Sequence, residues 1–256
     1  MIATSSNKEK ARTAPWFGQV EYIPFDLSHL DPQVDYHRFF GQPDRMIHLA
    51  WEGLPNYKEP FHLEVNYPRH TALLKNMIEH GLADLTVTGT CFEYGMREGR
   101  LSEDMPAAPD NAYARAKDDV RKYVAALQAE TAFHFKWVRL FYMYGKGQNQ
   151  KSLLSQLDKA LDNGDAVFNM SGGEQERDYL PVEAVATNIV KIALQNKTEG
   201  IINCCSGRPV TVKAFVQDYL RKKNRQMALN LGYYPYPDYE AMRFWGDNKK
   251  LQQITS

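Results

Sequence analysis

Tyr113 and Lys117 stand four residues apart at the start of a helix-forming run, downstream of a β-rich run that ends in a hydroxyl, Thr90. On an α-helix, positions i and i+4 share one face. An ammonium beside a phenol favours the phenolate and lowers its pKa towards neutral pH. A threonine hydroxyl bonded to the same substrate oxygen completes a proton-transfer device for a carbonyl/alcohol couple. Spacing alone does not select this pair. The chain has 15 Tyr, and Tyr-x-x-x-Lys occurs three times, at Tyr113/Lys117, Tyr142/Lys146 and Tyr219/Lys223. Tyr142/Lys146 crosses Gly145 just after a β-like run, which makes a poor helix. Tyr219/Lys223 lies on a charged helix with no strand-end hydroxyl before it. Context therefore favours Tyr113/Lys117.

Positioning these groups requires alternating strands and helices. Hydrophobic patterning and turn residues predict strands over 20–27, 45–51, 84–90, 135–142, 166–169 and 200–205, with a strand tail at 1–4. Helices are expected over 35–40, 62–81, 113–130, 152–163, 182–195 and 212–223. Leu73, Leu74, Met77 and Ile78 share a face of the second, despite Pro68, and Gly164 stops the fourth. Residues 5–12 read as a loop or short helix. Residues 230–247, rich in Tyr, Pro and Trp, read as irregular. The alternation implies an α/β fold, a doubly wound parallel sheet with helices on both faces. Residues 1–150, with 182–205 contributing, are expected to form this unit. Residues 151–256 are expected to form mainly a smaller mixed α/β lobe. Ligands in such folds sit beyond the carboxyl ends of the strands, and Leu27, Trp51, Thr90 and Tyr142 lie at those ends.

Composition narrows the partners. The 256 residues suffice for a substantial core, and the net charge is zero. No basic patch dominates, which argues against nucleic acid or an anionic membrane. No apolar run approaches a membrane span, and the first residues lack a signal-peptide core. Three cysteines, Cys91, Cys204 and Cys205, are not a disulfide framework and point to a reducing cytoplasm. No spacing suggests a metal site. Cys91 reads as a small buried hydrophobe and His48 as a buried structural histidine.

Several motifs in order carry a family resemblance. They are His48-Leu49-Ala50, Thr90-Cys-Phe-Glu-Tyr94-Gly95, Tyr113 with Lys117, Arg139-Leu-Phe-Tyr-Met-Tyr144-Gly145, Arg177-Asp178-Tyr179-Leu-Pro-Val182, and Asn203 through Gly207. Together they resemble the extended short-chain dehydrogenase/reductase family, in its nucleotide-sugar epimerase/dehydratase group, over nearly the whole chain. The resemblance implies a Rossmann-like fold, NAD or NADP as cofactor, a nucleotide-diphosphate sugar as substrate and a homodimer through the Tyr113 helix and its neighbour. It implies Tyr113 as general acid/base, Lys117 as its partner and ribose ligand, and Thr90 as the holder of the substrate oxygen. Asp26 and Leu27 would flank the adenine. Leu49, Ala50 and Trp51 would line the cofactor, with Asn66 close by. Tyr142 and Arg177 would meet the substrate, Arg177 at the diphosphate. From residue type alone, the alternatives are a strand-end cap for Asp26, a helix cap or solvated polar residue for Asn66, and an exposed turn pair for Arg177-Asp178.

One departure concerns the front of the pattern. The family begins with a strand and a Gly-x-x-Gly-x-x-Gly loop whose amides meet the pyrophosphate at a helix N-terminus. The chain contains no such run. Residues 2–5 resemble the end of the family's second strand, about thirty residues into its pattern. The expectation is a chain truncated at its N-terminus, its sheet without the central strand and its cofactor binding weakened or lost. Ser5, Ser6, Asn7 and Lys8 would fall where the adenosine 2′ position is read, which leaves NADP open beside NAD.

The reaction is read from the active-site strand. Family dehydratases carry Thr-Asp-Glu there, whereas this chain has Thr90, Cys91 and Phe92. Phe92 also replaces the cysteine of the epimerase-reductases. The tail through Tyr233, Tyr234, Tyr236, Tyr239, Arg243, Phe244 and Trp245 resembles that of 4-keto-6-deoxyhexose reductases, and an aromatic lid suits a 6-deoxy sugar. The expectation is reduction of a nucleotide-linked 4-keto-6-deoxyhexose. The alternatives are a nucleotide-sugar 4-epimerase and a non-catalytic sugar-nucleotide-binding module.

Overall fold

The computed structural model describes residues 1–255. In chain order the elements are β1 (Ile2–Ser5), α1 (Lys8–Arg12), β2 (Glu21–Pro24), α2 (Tyr36–Phe39), β3 (Arg45–His48), α3 (Tyr67–Glu79), β4 (Asp84–Thr90), β5 (Gly99–Leu101), α4 (Ala112–Leu127), β6 (His134–Leu140), β7 (Tyr142–Tyr144), α5 (Leu153–Asn163), β8 (Val167–Asn169), β9 (Glu176–Pro181), α6 (Val182–Leu194), β10 (Gly200–Cys204), β11 (Pro209–Thr211), α7 (Val212–Lys222), β12 (Ala228–Asn230), β13 (Phe244–Gly246) and α8 (Lys249–Thr255). A π-turn at His62–Asn66 leads into α3, and a 3₁₀ turn at Cys91–Tyr94 follows β4. Pro68 falls in the first turn of α3, directly after the π-turn.

Four parallel strands in the order β10-β6-β4-β3 form the main sheet. All of β4 is buried, as an inner strand with helices on both faces must be. On one face α3 and α4 lay Leu73, Leu74, Met77, Ile78, Val120 and Val124 against Leu85, Val87, Phe135 and Trp137. On the other, Val185, Ile189 and Ile192 of α6 and Leu251 of α8 meet Val138, Ile202 and Cys204. Each such side chain contributes about 1.5–3 kcal/mol by leaving water. The fold is thus α/β and Rossmann-like.

The sheet is parted. Strands β1 and β2 pair in parallel with each other, and neither bonds to β3. A cavity of about 820 Å³ separates them, with Ile2, Thr4 and Glu21 on one side and Arg45, Met46 and Ile47 on the other. This is where the resemblance places a central strand.

Beyond the main sheet, β9 pairs in parallel with β7 and antiparallel with β11, while β8 pairs with β12. Helices α5 and α7 pack Leu157, Leu161, Val216 and Leu220 against Phe168. Gly164 ends α5 in the left-handed region, at φ 76°.

Three expected strands end early. The one over 20–27 stops at Pro24, and a 3₁₀ turn over Leu27–His29, capped by Asp26, follows. The expected strand over 45–51 stops at His48, and Trp51 turns back onto His70. The expected strand over 135–142 stops at Leu140, and Tyr142 begins β7, which pairs with β9 instead of the main sheet. The tail is less irregular than expected. Phe244–Gly246 forms β13 and pairs with β5, inside what reads as a polar loop. Three-residue strands joined across the chain have too few positions to show a period.

A buried ion pair ties the amino ends of the sheet strands. Lys136 of β6 donates to both Asp84 carboxylate oxygens of β4 at 2.7 Å, and Arg45 of β3 reaches the same carboxylate at 3.3 Å. Lys136→Met should cost about 3 kcal/mol, the lower end of the range for breaking a buried pair, because it leaves the buried Asp84 carboxylate with only the partly exposed Arg45 as a charged partner. Urea unfolding measures this, and a cost near zero would contradict the account.

Candidate active site

Thr90 is held by its own turn. Its hydroxyl accepts from the Phe92 amide at 3.3 Å, while the Glu93 carboxylate accepts from the Thr90 amide at 2.8 Å. This reciprocal capping box was legible as Thr-x-x-Glu in the sequence, and Glu93 is the site residue that sequence reasoning missed. Glu93 is fully buried. It also accepts from Trp137 Nε1 at 2.9 Å and from Arg139 Nε at 2.7 Å. Gly89 makes room for it: a Cβ there would lie 2.5 Å from Glu93 Oε1 and 2.2 Å from Trp137 Nε1.

Helix α4 presents the other two groups. Asn111 caps it by accepting from the Ala114 amide at 2.9 Å. The Tyr113 amide donates to the Tyr57 carbonyl at 3.0 Å, which ties the helix start to the loop after β3. Tyr113 and Lys117 share the buried face with Ala114, Val120 and Val124. Lys117 Nζ donates to the Thr88 carbonyl at 2.8 Å and stands 4.1 Å from the centre of the Trp51 ring. The other two Tyr/Lys pairs are not arranged on one helix face of the cleft. Tyr142 and Lys146 are separated by the end of β7, and Tyr219 and Lys223 both bond Asp158, each at 2.7 Å.

Burial dominates the electrostatics. It pushes the Tyr113 phenol above its ordinary value, with the Thr90 hydroxyl opposing the rise. It lowers the Lys117 ammonium to about 7, against the pull of the Glu93 carboxylate. Burial also raises the Cys91 thiol, which leaves it a poor nucleophile.

Thr90, Tyr113, Lys117, Leu49, Trp51 and Tyr142 line a single cleft of about 260 Å³. Tyr57, Cys91 and Phe92 complete its wall. The tail reaches it too, since the Tyr239 ring packs 5.6 Å from Tyr57 and 6.4 Å from Phe92. A second cavity of about 540 Å³ is lined by Asp26, Leu27, Leu49, Ala50 and Trp51, with Ser5 and Ser6. Leu49 and Trp51 border both cavities. Asp26 also caps its turn, accepting from the Ser28 amide at 2.8 Å.

Two expected contacts fall outside these linings. Asn66 is buried behind the loop, where its amide donates to the Glu52 carbonyl at 3.0 Å. Arg177 is neither an exposed turn residue nor a cleft-lining one. It is 2 % exposed and its guanidinium meets Glu240 at 2.8 Å and the carbonyls of Glu176 and Met242 at 2.9 and 3.0 Å. Its donors are spent within the chain. Asp178 beside it is buried and accepts from the Ser206 and Gly207 amides.

The arrangement of strands, cleft and motifs matches known proteins. The model of the NAD dependent epimerase/dehydratase family matches residues 2–205. The chain belongs to that family. Among curated proteins it is similar to a dTDP-6-deoxy-L-talose 4-dehydrogenase (NAD(+)) of Aggregatibacter actinomycetemcomitans. That protein is 28% identical over 202 residues, covering 78% of this chain and 74% of the relative. Among solved structures it is similar to a UDP-N-acetylglucosamine 4-epimerase of Methanobrevibacter ruminantium M1, with TM-score 0.86 and 19% identity over 100% of this chain and 84% of the other. It is also similar to TunA, an NAD dependent NDP-hexosamine 5,6-dehydratase, with TM-score 0.78 and 24% identity over 94% and 79%. The chain is therefore a member of a family of NAD-dependent enzymes that modify nucleotide sugars.

The residues fit such a dinucleotide at its two ends. The cavity beside Asp26 and Leu27 suits an adenosine, and the cleft beside Tyr113 and Lys117 a nicotinamide riboside. No glycine-rich turn at a helix N-terminus lies between them among the described residues, so no backbone cradle for the pyrophosphate is present there.

The lysine gives a pH signature. Its ordinary value is 10.5, and in the fold it is lowered to about 7. Between those values the unfolded chain binds the proton more tightly, so folding is favoured increasingly as pH rises through that window. Below it the full penalty of a buried cation is present. Comparison with Lys117→Met by denaturant unfolding should show this rise in the parent and not in the variant. Parallel curves would contradict it.

Proposed function

We propose that this chain catalyses NAD(P)-dependent hydride transfer at C4 of a nucleotide-linked sugar, in the direction that reduces a 4-keto-6-deoxyhexose. The observation carrying this reading is the convergence of Thr90, Tyr113 and Lys117 on one cleft walled by aromatic side chains. Asp26, Leu27, Leu49, Ala50 and Trp51 would hold the dinucleotide, with Asn66 steadying the loop that carries Trp51. A bound nicotinamide would supply the hydride that C4 receives.

The protein's part is the proton. Tyr113 donates its phenolic proton to O4 as the carbonyl becomes an alcohol. Burial keeps that phenol protonated, the state that ketone reduction requires. Thr90 hydrogen-bonds the same oxygen and orients it. Lys117 stabilises the phenolate that remains. Cys91 and Phe92 occupy the positions where a dehydratase needs acids, and neither can drive elimination of water. Phe92, Tyr57 and Tyr239 give an apolar wall suited to a C6 methyl group.

The similarity to a 6-deoxytalose 4-dehydrogenase supports both the C4 position and the deoxy sugar. Tyr142 contacts the sugar, and Arg177 serves the diphosphate once Glu240 releases it. Residues 1–150 with 182–205 form the dinucleotide unit, and 151–256 the substrate lobe. The chain pairs as a homodimer through α4 and α3, and its free buried cysteines suit a reducing cytoplasm.

A nucleotide-sugar 4-epimerase is the second reading, favoured by the likeness to 4-epimerase structures. A tightly retained NAD in purified protein would point there, and consumption of external NAD(P)H to the reductase. The parted sheet favours a third, a sugar-nucleotide-binding module without turnover.

Tyr113→Phe should lower kcat by roughly 10²–10⁴-fold with little change in KM. Steady-state kinetics checks this, and a fully active variant would sink the assignment. Titration with NADH and NADPH, followed by nicotinamide fluorescence, should show micromolar binding of one of them. No binding of either would favour the module.

A further inference from the structure

Lys117 is a buried cation with unusual company. Its ammonium carries three donors, of which one goes to the Thr88 carbonyl at 2.8 Å. The ammonium also stands 4.1 Å from the centre of the Trp51 ring, inside the range of a cation–π contact. Among the described residues, this is the one tryptophan with a cation over its ring. The titratable groups around the ammonium are Glu93 from the turn after β4, Tyr113 on its own helix, and His48, His62 and His70. The carboxylate among them is already bonded to Arg139 and Trp137.

The indole is braced on two sides. Its N–H donates to His62 Nδ1 at 3.1 Å. Because that nitrogen accepts, the proton of a neutral His62 sits on Nε2, which donates to the Asn56 carbonyl at 3.0 Å. The ring also stacks on His70, with centroids 4.6 Å and planes 17° apart. His70 in turn bonds His48 at 2.6 Å. Burial holds His70 down to about 2 and His48 to about 3, so both stay neutral and put no competing charge beside the ring.

We propose that Trp51 is a positioning residue whose ring face holds the Lys117 ammonium in the cleft it shares with Tyr113. The two histidines fix the plane of that ring. Desolvation penalises the charged lysine, and the negative face of an indole offsets part of the penalty without introducing a carboxylate. A carboxylate in the same place would bind the ammonium more tightly but would raise the phenol further by like-charge repulsion. A neutral π face avoids this. The role is distinct from lining a cofactor, and it rests on the proposed reading of Lys117 as the partner of Tyr113.

Fluorine substitution tests it without altering shape. The chain is produced with Trp16, Trp51, Trp137 and Trp245 all replaced by mono-, di- or trifluorotryptophan, which drains charge from the ring face in steps. Lysine carrying ¹³C at Cε reports the Lys117 titration by NMR, assigned with Lys117→Met. The titration should begin near about 7 and fall stepwise with fluorine number, by roughly one pH unit in total. Trp51→Leu should produce a fall at least as large, and Trp51→Phe should restore part of it. A titration unmoved across the fluorine series overturns the proposal, and so does a Trp51→Leu protein, folded by thermal melt, in which Lys117 titrates as in the parent. The measurement needs no turnover. An active Tyr113→Phe enzyme would sink the reaction, whereas a flat fluorine series sinks the role of Trp51.

Discussion

The site depends on one buried carboxylate. Glu93 accepts from the Thr90 amide, from the Trp137 indole and from the Arg139 guanidinium, and all of these groups are removed from water. The first bond fixes the turn that ends β4, and the others tie that turn to the neighbouring strand β6. A charge in such a place is tolerated only when its oxygens are fully used. It therefore admits one geometry, which sets where the Thr90 hydroxyl points and where Phe92 closes the cleft wall. Gly89 is the residue that permits the approach, because any side chain there would collide with the carboxylate.

A second layer of neutral rings shapes the electrostatics. Trp51, His48, His62 and His70 bring neutral rings to the lysine, and Trp51 and His62 also pack against Tyr113, at 5.9 and 5.4 Å. Tyr57 and Phe92 do the same beside the phenol, with Tyr239 packed behind them. In this low-dielectric setting burial holds the tyrosine protonated and draws the lysine down to about 7, so the two values move apart. The usual picture of an ammonium pressed against the phenol does not describe the pair here, since Lys117 bonds the Thr88 carbonyl instead.

The parted sheet bears on everything the dinucleotide would touch. The cavity beside Asp26 and Leu27 rests on β1 and the end of β2, the cleft beside Tyr113 and Lys117 on β4 and α4, and no strand hydrogen bonds join β1 and β2 to the main sheet. Contacts between the halves run through α2, α3 and the side chains of Phe25, Tyr36 and Phe40. This helical layer is what holds the two halves in register.

The sequence by itself determined the alternation of strands and helices, the α/β class, and the trio Thr90, Tyr113 and Lys117, because periodicity and i, i+4 spacing are local properties. It also determined the break after Gly164 and the apolar face of α3. Tertiary structure alone decided where Asn66 and Arg177 spend their donors, since Glu52 lies 14 residues from one and Glu240 63 residues from the other. It likewise decided that Tyr142 leaves the main sheet, that Tyr239 returns from the tail to the cleft, and that β5 finds β13. Glu93 stands between the two cases. Its cap on Thr90 was written in four consecutive residues, but its burial and its bonds to Trp137 and Arg139 came only from packing β4 against β6. Local patterns follow from backbone geometry, whereas partners distant along the chain are chosen by which buried donors and charges are left to be satisfied.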